Sequence, residues 1–144
     1  MSVRRICSRN VDTAKMDEAV HAAAGRMNVR KVGTLVVVDK DQHPLGLITD
    51  RDLTVRVLAE ARDPAQTTIG AVMTRLPRTV YEETPIEEAL AIMRSGPYRR
   101  LPVIDREGRL VGLLSLDDIL DLLAEEFGEI GKLLRKESPR SLAE

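Results

Sequence analysis

The amino-acid sequence predicts an α/β (α+β) fold: two β-α-β-β-α repeats packed about a pseudo-twofold axis, followed by an extended C-terminal helix. Three observations lead there. The chain matches itself at an offset of 66 residues, with no insertion from Ile6/Val72 to Glu60/Glu126. Within each copy the apolar spacing changes from a helical period to short β-branched runs. A unit of about 60 residues buries too little surface to be comfortable alone, so the two copies should pack sheet to sheet.

The repeat is legible residue by residue. Thr13 falls on Thr79, Ala23 on Ala89, Met27 on Met93, and Leu35, Val37 and Asp39 on Leu101, Val103 and Asp105. Gly46 and Leu47 fall on Gly112 and Leu113, and Asp52 on Asp118. Thr13-Ala14 and Thr79-Val80 read as short leading strands. Asp17–Val29 and Pro85–Ser95 read as helices, with Val20, Ala23, Ala24 and Met27 on one apolar face and Ile86, Ala89, Leu90 and Met93 on its counterpart. Pro85 suits a first helical turn. Leu35–Asp39 and Leu101–Asp105 are strand-like, and polar turns at residues 40–43 and 106–109 lead into return strands Leu45–Ile48 and Val111–Leu114. A second helix begins after Thr49 and after Ser115. The polar stretch Ala61–Thr68 separates the copies. Leu123, Phe127, Ile130 and Leu134 then form an apolar stripe suited to packing or to a dimer seam. The tail from Ser138 is expected to fray.

Bulk composition narrows the function. Apolar residues make up 43% of the 144 and charged residues 31%, with a net charge of −1. A nucleic-acid binder would show a basic excess and stacking aromatics; this chain has two Tyr, one Phe and no Trp. No apolar run reaches the length of a membrane span, and the N-terminus has no secretory hydrophobic stretch. One cysteine, Cys7, and two histidines, His21 and His43, make a poor metal set and suit a reducing cytoplasm. No cysteine–histidine pair, serine elbow or phosphate-loop pattern is present, so no catalytic residue and no required cofactor are expected.

What remains is a stretch that occurs twice: Gly46-Leu47-Ile48-Thr49-x-x-Asp52 and Gly112-Leu113-Leu114-Ser115-x-x-Asp118. The hydroxyl and the acid three residues on have the form of a helix capping box, with a negative charge placed well for the helix dipole. The same groups suit a ligand. A hydroxyl among first-turn amides can meet a phosphate, and the carboxylate can accept both hydroxyls of a ribose. Gly46 and Gly112 would let that ligand approach the strand backbone. Cap and site stay open as readings, and one object can serve as both.

At these residues the chain resembles a tandem pair of cystathionine-β-synthase (CBS) domains, a Bateman module, over about residues 3–128. The resemblance rests on Ile69-Gly70-Ala71-Val72-Met73-Thr74, on Arg100-Leu101-Pro102-Val103-Ile104-Asp105, and on the two G-x-x-[ST]-x-x-D stretches. It implies binding of adenosine-containing ligands: AMP, ADP, ATP, S-adenosylmethionine or NAD. By resemblance Asp52 and Asp118 hold ribose hydroxyls, and Thr49 and Ser115 touch phosphate. Backbone near Thr13-Ala14, Thr79-Val80, Gly33 and Arg99 frames the base. Basic residues before the strand, here Arg99-Arg100 where the first repeat has Gly33-Thr34, reach phosphates across the cleft. Arg51 adds a cation beside the first motif, and Tyr98 lies over a base or covers the core edge.

The implied organisation is repeat 1 at 3–62, linker and entry to repeat 2 at 63–71, repeat 2 at 72–128, and a helical extension and tail at 129–144. The implied function is regulatory. A cytoplasmic homodimer senses an adenosine ligand in clefts between the repeats and signals to a separate effector protein. The competing reading is a ligand-free association module whose two motifs are helix caps alone.

Overall fold

A computed structural model describes residues 1–75, 78–96 and 98–137. A single 3-10 turn, Val3–Arg5, precedes β1 (Thr13–Ala14), α1 (Val20–Arg30), β2 (Thr34–Val38), β3 (Pro44–Thr49) and α2 (Asp50–Leu53), which continues with π-helical geometry over Thr54–Leu58. Then come α3 (Ile69–Val72), β4 (Thr74–Arg75), β5 (Val80–Tyr81), α4 (Ile86–Ser95), β6 (Arg100–Ile104), β7 (Leu110–Ser115) and α5 (Leu116–Glu137). Two sheets form, in the orders β1-β2-β3-β4 and β5-β6-β7. In both, the first pair is parallel and the second antiparallel, and the registers repeat: Ala14 faces Val37 as Val80 faces Val103, and Thr34 faces Thr49 as Arg100 faces Ser115.

Each sheet buries its apolar alternation against its own helices. In the first half Ala14, Val20, Ala23, Met27, Leu35, Val37, Ile48 and Val57 form one core; in the second Val80, Ile86, Ala89, Met93, Leu101, Val103, Leu114 and Ile119 form another. A third cluster joins the halves. Val36, Val38 and Leu47 meet Val11, Leu110 and Leu113, so the sheets pack on each other.

The segments between the expected units are exchanged. Ile69, Val72 and Met73, at the entry to the second repeat, lie in the core of the first half, whereas Val3 and Cys7, at the start of the first repeat, lie in the core of the second. β4 pairs with β3 through Gly46↔Arg75 and Leu47↔Thr74, and Ser8 bridges Leu113 in the equivalent place. The leading segments therefore sew the halves together crosswise, and residues close in sequence do not share a core. β4 and α3 are elements that the sequence pattern did not disclose.

The same exchange moves the helix starts. α1 begins at Val20, not Asp17, because Ala19 is extended and bridged to Thr68. The amides of Val20 and His21 donate to the carbonyls of Thr67 and Pro64. The polar linker thus satisfies amides that an unbound helix start would leave orphaned. Likewise Pro85 is the extended cap residue of α4 rather than a first-turn residue, and the Ile86 amide donates to the Met1 carbonyl. The leading strand expected at Thr79-Val80 is shifted by one, to Val80–Tyr81. The expected fraying from Ser138 falls outside the described residues. No described helix is long and apolar enough to cross a membrane.

Candidate functional site

Both repeated motifs end a strand and start a helix, and both are complete capping boxes. The Asp52 amide donates to Thr49 Oγ1 at 3.1 Å while the Thr49 amide donates to Asp52 Oδ2 at 3.0 Å. In the second copy the Asp118 amide donates to Ser115 Oγ at 3.0 Å and the Ser115 amide to Asp118 Oδ2 at 2.9 Å. Each box satisfies two amides that the helix itself cannot reach.

The second carboxylate oxygens differ. Asp52 Oδ1 accepts from Thr74 Oγ1 at 3.3 Å, and Arg56 Nε stands 3.8 Å away. Arg56 is itself held by the carbonyls of Val72 and Met73. The second copy has Ser8 and Leu122 where the first has Thr74 and Arg56. Among the described residues Asp118 Oδ1 takes no hydrogen bond.

Asp118 and Ser115 lie at one side of a cleft of about 260 Å³. Asp117, Leu113 and Arg100 complete that side, and Ser8, Asn10, Val11, Asp12, Val32, Gly33 and Thr34 form the remainder. Most of the far wall therefore belongs to the first repeat. Val11, Val32 and Leu113 supply apolar surface. Asp12 is neutralised by Arg30, whose Nε lies 2.8 Å from its Oδ1. Thr34 Oγ1 is buried and has no partner among the described residues, which is unusual for a polar atom in a folded chain. Apolar walls with a few convergent polar groups are the general form of a small-molecule site. Residues 76 and 77, which the repeat matches to Asn10 and Val11, lie outside the described residues.

Several expected contributors lie elsewhere. Gly46 and Gly112 face the protein, not an open cleft: a Cβ on Gly46 would stand 2.6 Å from the Thr74 carbonyl oxygen, and one on Gly112 would stand 3.0 Å from Cys7 Sγ and from the Ser8 carbonyl oxygen. The glycines admit the exchanged segments, which corrects the expectation that they admit a ligand. Thr13 and Ala14 sit in β1, with the Thr13 carbonyl accepting from Arg26 and Ala14 buried in the core. Thr79 precedes β5, whose Val80 is buried. Asn10–Asp12, just before β1, line the cleft in their place. Arg100 is in the cleft, whereas Arg99 and Arg51 are exposed on the surface. Tyr98 packs at the edge of the second core, its ring over Gly96. Gly33 borders the cleft, and its carbonyl accepts from the Asp50 amide.

Ser8, Asn10, Val11, Asp12, Val32 and Thr34 were not anticipated. They sit outside the repeated motifs in sequence, and no local pattern marks them. Asp39, Asp41 and His43 bring three ligand-type atoms within 4.8 Å, but Asp39 Oδ1 already accepts from the Asp41 and His43 amides and Oδ2 faces His43 Nδ1. That group is a hydrogen-bonded turn. The Cys7 thiol, buried beneath Gly112, is held up in pKa mainly by desolvation and is kept as the less nucleophilic thiol.

Comparison with known proteins agrees with this geometry. The family model of the CBS domain matches residues 3–59 and 69–125. An uncharacterised protein of Methanopyrus kandleri is 31% identical over 122 residues, covering 85% of this chain, which spans 62% of that relative's length. A CBS domain-containing protein of Dictyostelium discoideum is 32% identical over 130 residues, 84% of this chain and 90% of the relative. Among solved structures, the CBS domain pair of protein MJ0100 in complex with 5′-methylthioadenosine and S-adenosylmethionine superposes with a TM-score of 0.77 at 27% identity, covering 88% of this chain and 98% of that one.

Proposed function

The chain belongs to the CBS-domain family, and from that premise we propose that it is a regulatory module whose inter-repeat cleft binds an adenosine-containing ligand. The observation that carries this reading is that Asp118 Oδ1, which takes no hydrogen bond among the described residues, stands in a cleft most of whose far wall comes from the other repeat. In this reading Asp118 accepts the ribose hydroxyls and Ser115 and Arg100 meet the 5′ substituent. Val11, Val32 and Leu113 enclose the base, and Gly33 offers it backbone. Asp52 and Thr49 hold the same roles in the counterpart cleft, where Asp52 must first give up Thr74 and Arg56. Thr13-Ala14, Thr79-Val80 and Arg99 contribute through the backbone and Arg51 through its charge, while Tyr98 covers the core edge. The ligand complex of the MJ0100 pair supports the ligand class.

Because the ligand touches both halves, it favours whichever relative packing of the halves it binds more tightly. The module is regulatory and not catalytic, needs no cofactor, forms a homodimer in the cytoplasm, and acts on a separate effector protein. Neither a membrane nor a nucleic acid is a partner in this reading.

The test is calorimetric titration of nucleotide-stripped protein with AMP, ADP, ATP, S-adenosylmethionine, 5′-methylthioadenosine and NAD. Saturable binding of at least one is expected. A charged hydrogen bond contributes about 1.5–3 kcal/mol, so Asp118→Ala should weaken binding about ten- to a hundred-fold, with Asp121→Ala, exposed and outside the cleft, as the control. Folded protein that binds none of the six leaves both motifs as helix caps in an association module.

A further inference from the structure

The ligand cleft uses only the first turn of α5, and from Leu123 to Glu137 every residue but Gly131 is exposed. Ile119 is its one buried residue among those described, and Leu120, Leu123, Phe127, Ile130, Leu133 and Leu134 are between 45% and 70% exposed. Leu116, Leu120, Leu123, Phe127, Ile130 and Leu134 recur at alternating intervals of four and three. That is the seam of a coiled coil sustained for nearly three heptads, narrow enough for one partner helix. Most of a helix's stability in a protein comes from packing its apolar face, and here that face is exposed.

Charge and side-chain size indicate which helix covers it. Asp117, Asp118, Asp121, Glu125, Glu126 and Glu129 make the first part of α5 acidic, and Lys132, Arg135 and Lys136 make its end basic. A parallel twin would set acid over acid. An antiparallel twin sets each basic end over the other's acidic start and opposes the two helix dipoles. Ala124, Gly128 and Gly131 fall on one flank of the seam. A Cβ at Gly128 would meet nothing within 4 Å and one at Gly131 only the end of Arg135, so nothing within one chain calls for glycine there. Against a second backbone they permit close approach.

We propose that α5 pairs antiparallel with α5 of a second copy of this chain, Leu123 against the partner's Leu134 and Phe127 against the partner's Ile130. This rests on the homodimer part of the reading above and places the interface on the helix extension.

Cysteine crosslinking tests it, with Cys7 buried and the unmodified protein as the control. Leu123→Cys and Leu134→Cys, oxidised separately, should stay uncrosslinked, and a mixture of the two should give a covalent dimer. Crosslinking of either variant alone, or none in the mixture, overturns the antiparallel pairing. Sedimentation of the unmodified chain should show a dimer, and Ile130→Glu, verified as folded by circular dichroism, should raise its dissociation constant about thirty-fold or more, the effect of a hot-spot residue. An unmodified chain that sediments as a monomer overturns the seam and the homodimer together. A dimer that Ile130→Glu leaves intact overturns the seam alone.

Discussion

Gly46 and Gly112 occupy matched places in β3 and β7 and each admits a different intruder. The Thr74 carbonyl would lie 2.6 Å from a Cβ on Gly46 and is rigid backbone, whereas the 3.0 Å neighbours of Gly112 include the movable Cys7 thiol. Gly46→Ala should therefore cost about 1–3 kcal/mol, in the range of overpacked cores, and Gly112→Ala less. Urea denaturation of both variants checks the order; equal losses would mean that the two exchanged segments yield equally. The same contrast runs through the carboxylates. The spacing of Thr49/Asp52 and Ser115/Asp118 is visible in sequence and forms the capping boxes it suggests. That Asp52 is engaged by Thr74, while Asp118 Oδ1 has no hydrogen bond among the described residues, depends on residues 22 and 110 positions away, and no local pattern carries that distance.

At the level of elements, the repeats of the sequence and the cores of the structure contain different residues. α3 stands beside the second repeat in the chain, yet Ile69 is fully buried in the core of the first half. Ile69→Ala should cost about 2–5 kcal/mol, as large-to-small core changes do. Native-state hydrogen exchange should show the loss of protection first in β2 and β3, with β6 and β7 protected longer. A loss that begins in β6 and β7 would mean that the exchanged segment stabilises the half it precedes. Helices α1 and α4, strands β2, β3, β6 and β7, and the long α5 were legible because periodicity and β-branched composition are local. β4, α3 and the late start of α1 were not, because they follow from pairing with a distant segment.

For the whole molecule, the two halves are held by the cluster around Val36, Leu47 and Leu113 and by a polar link between the two hairpin turns. His43 Nε2 meets the Glu107 carbonyl at 3.0 Å, Nδ1 meets Asp39 Oδ2 at 3.2 Å, and the Leu110 amide donates to the Gln42 carbonyl. The Glu107 carbonyl, and then Asp39, raise the His43 pKa above its ordinary value. A raised folded-state pKa means that the protonated form is favoured by folding. The contribution is full below the unfolded value of about 6.5 and is lost as pH rises through the folded one. The stability difference between the unmodified chain and His43→Gln should therefore be larger at about pH 5 than at about pH 9 in thermal unfolding. An unchanged difference across that range would mean that the contact is made by the neutral ring.

The sequence by itself determined the duplication, the order of the main strands and helices, the two capped helix starts and the family, because each of these is written in local spacing or in its repetition. Tertiary structure alone decided that the leading segments cross between halves, that the glycines serve those segments, and that the Ser115 cleft takes most of its far wall from the first repeat. It also decided that Asp52 Oδ1 is engaged by Thr74 while Asp118 Oδ1 takes no hydrogen bond among the described residues. These depend on which surfaces meet once each half has buried its apolar face, and residues that meet this way need share no pattern along the chain.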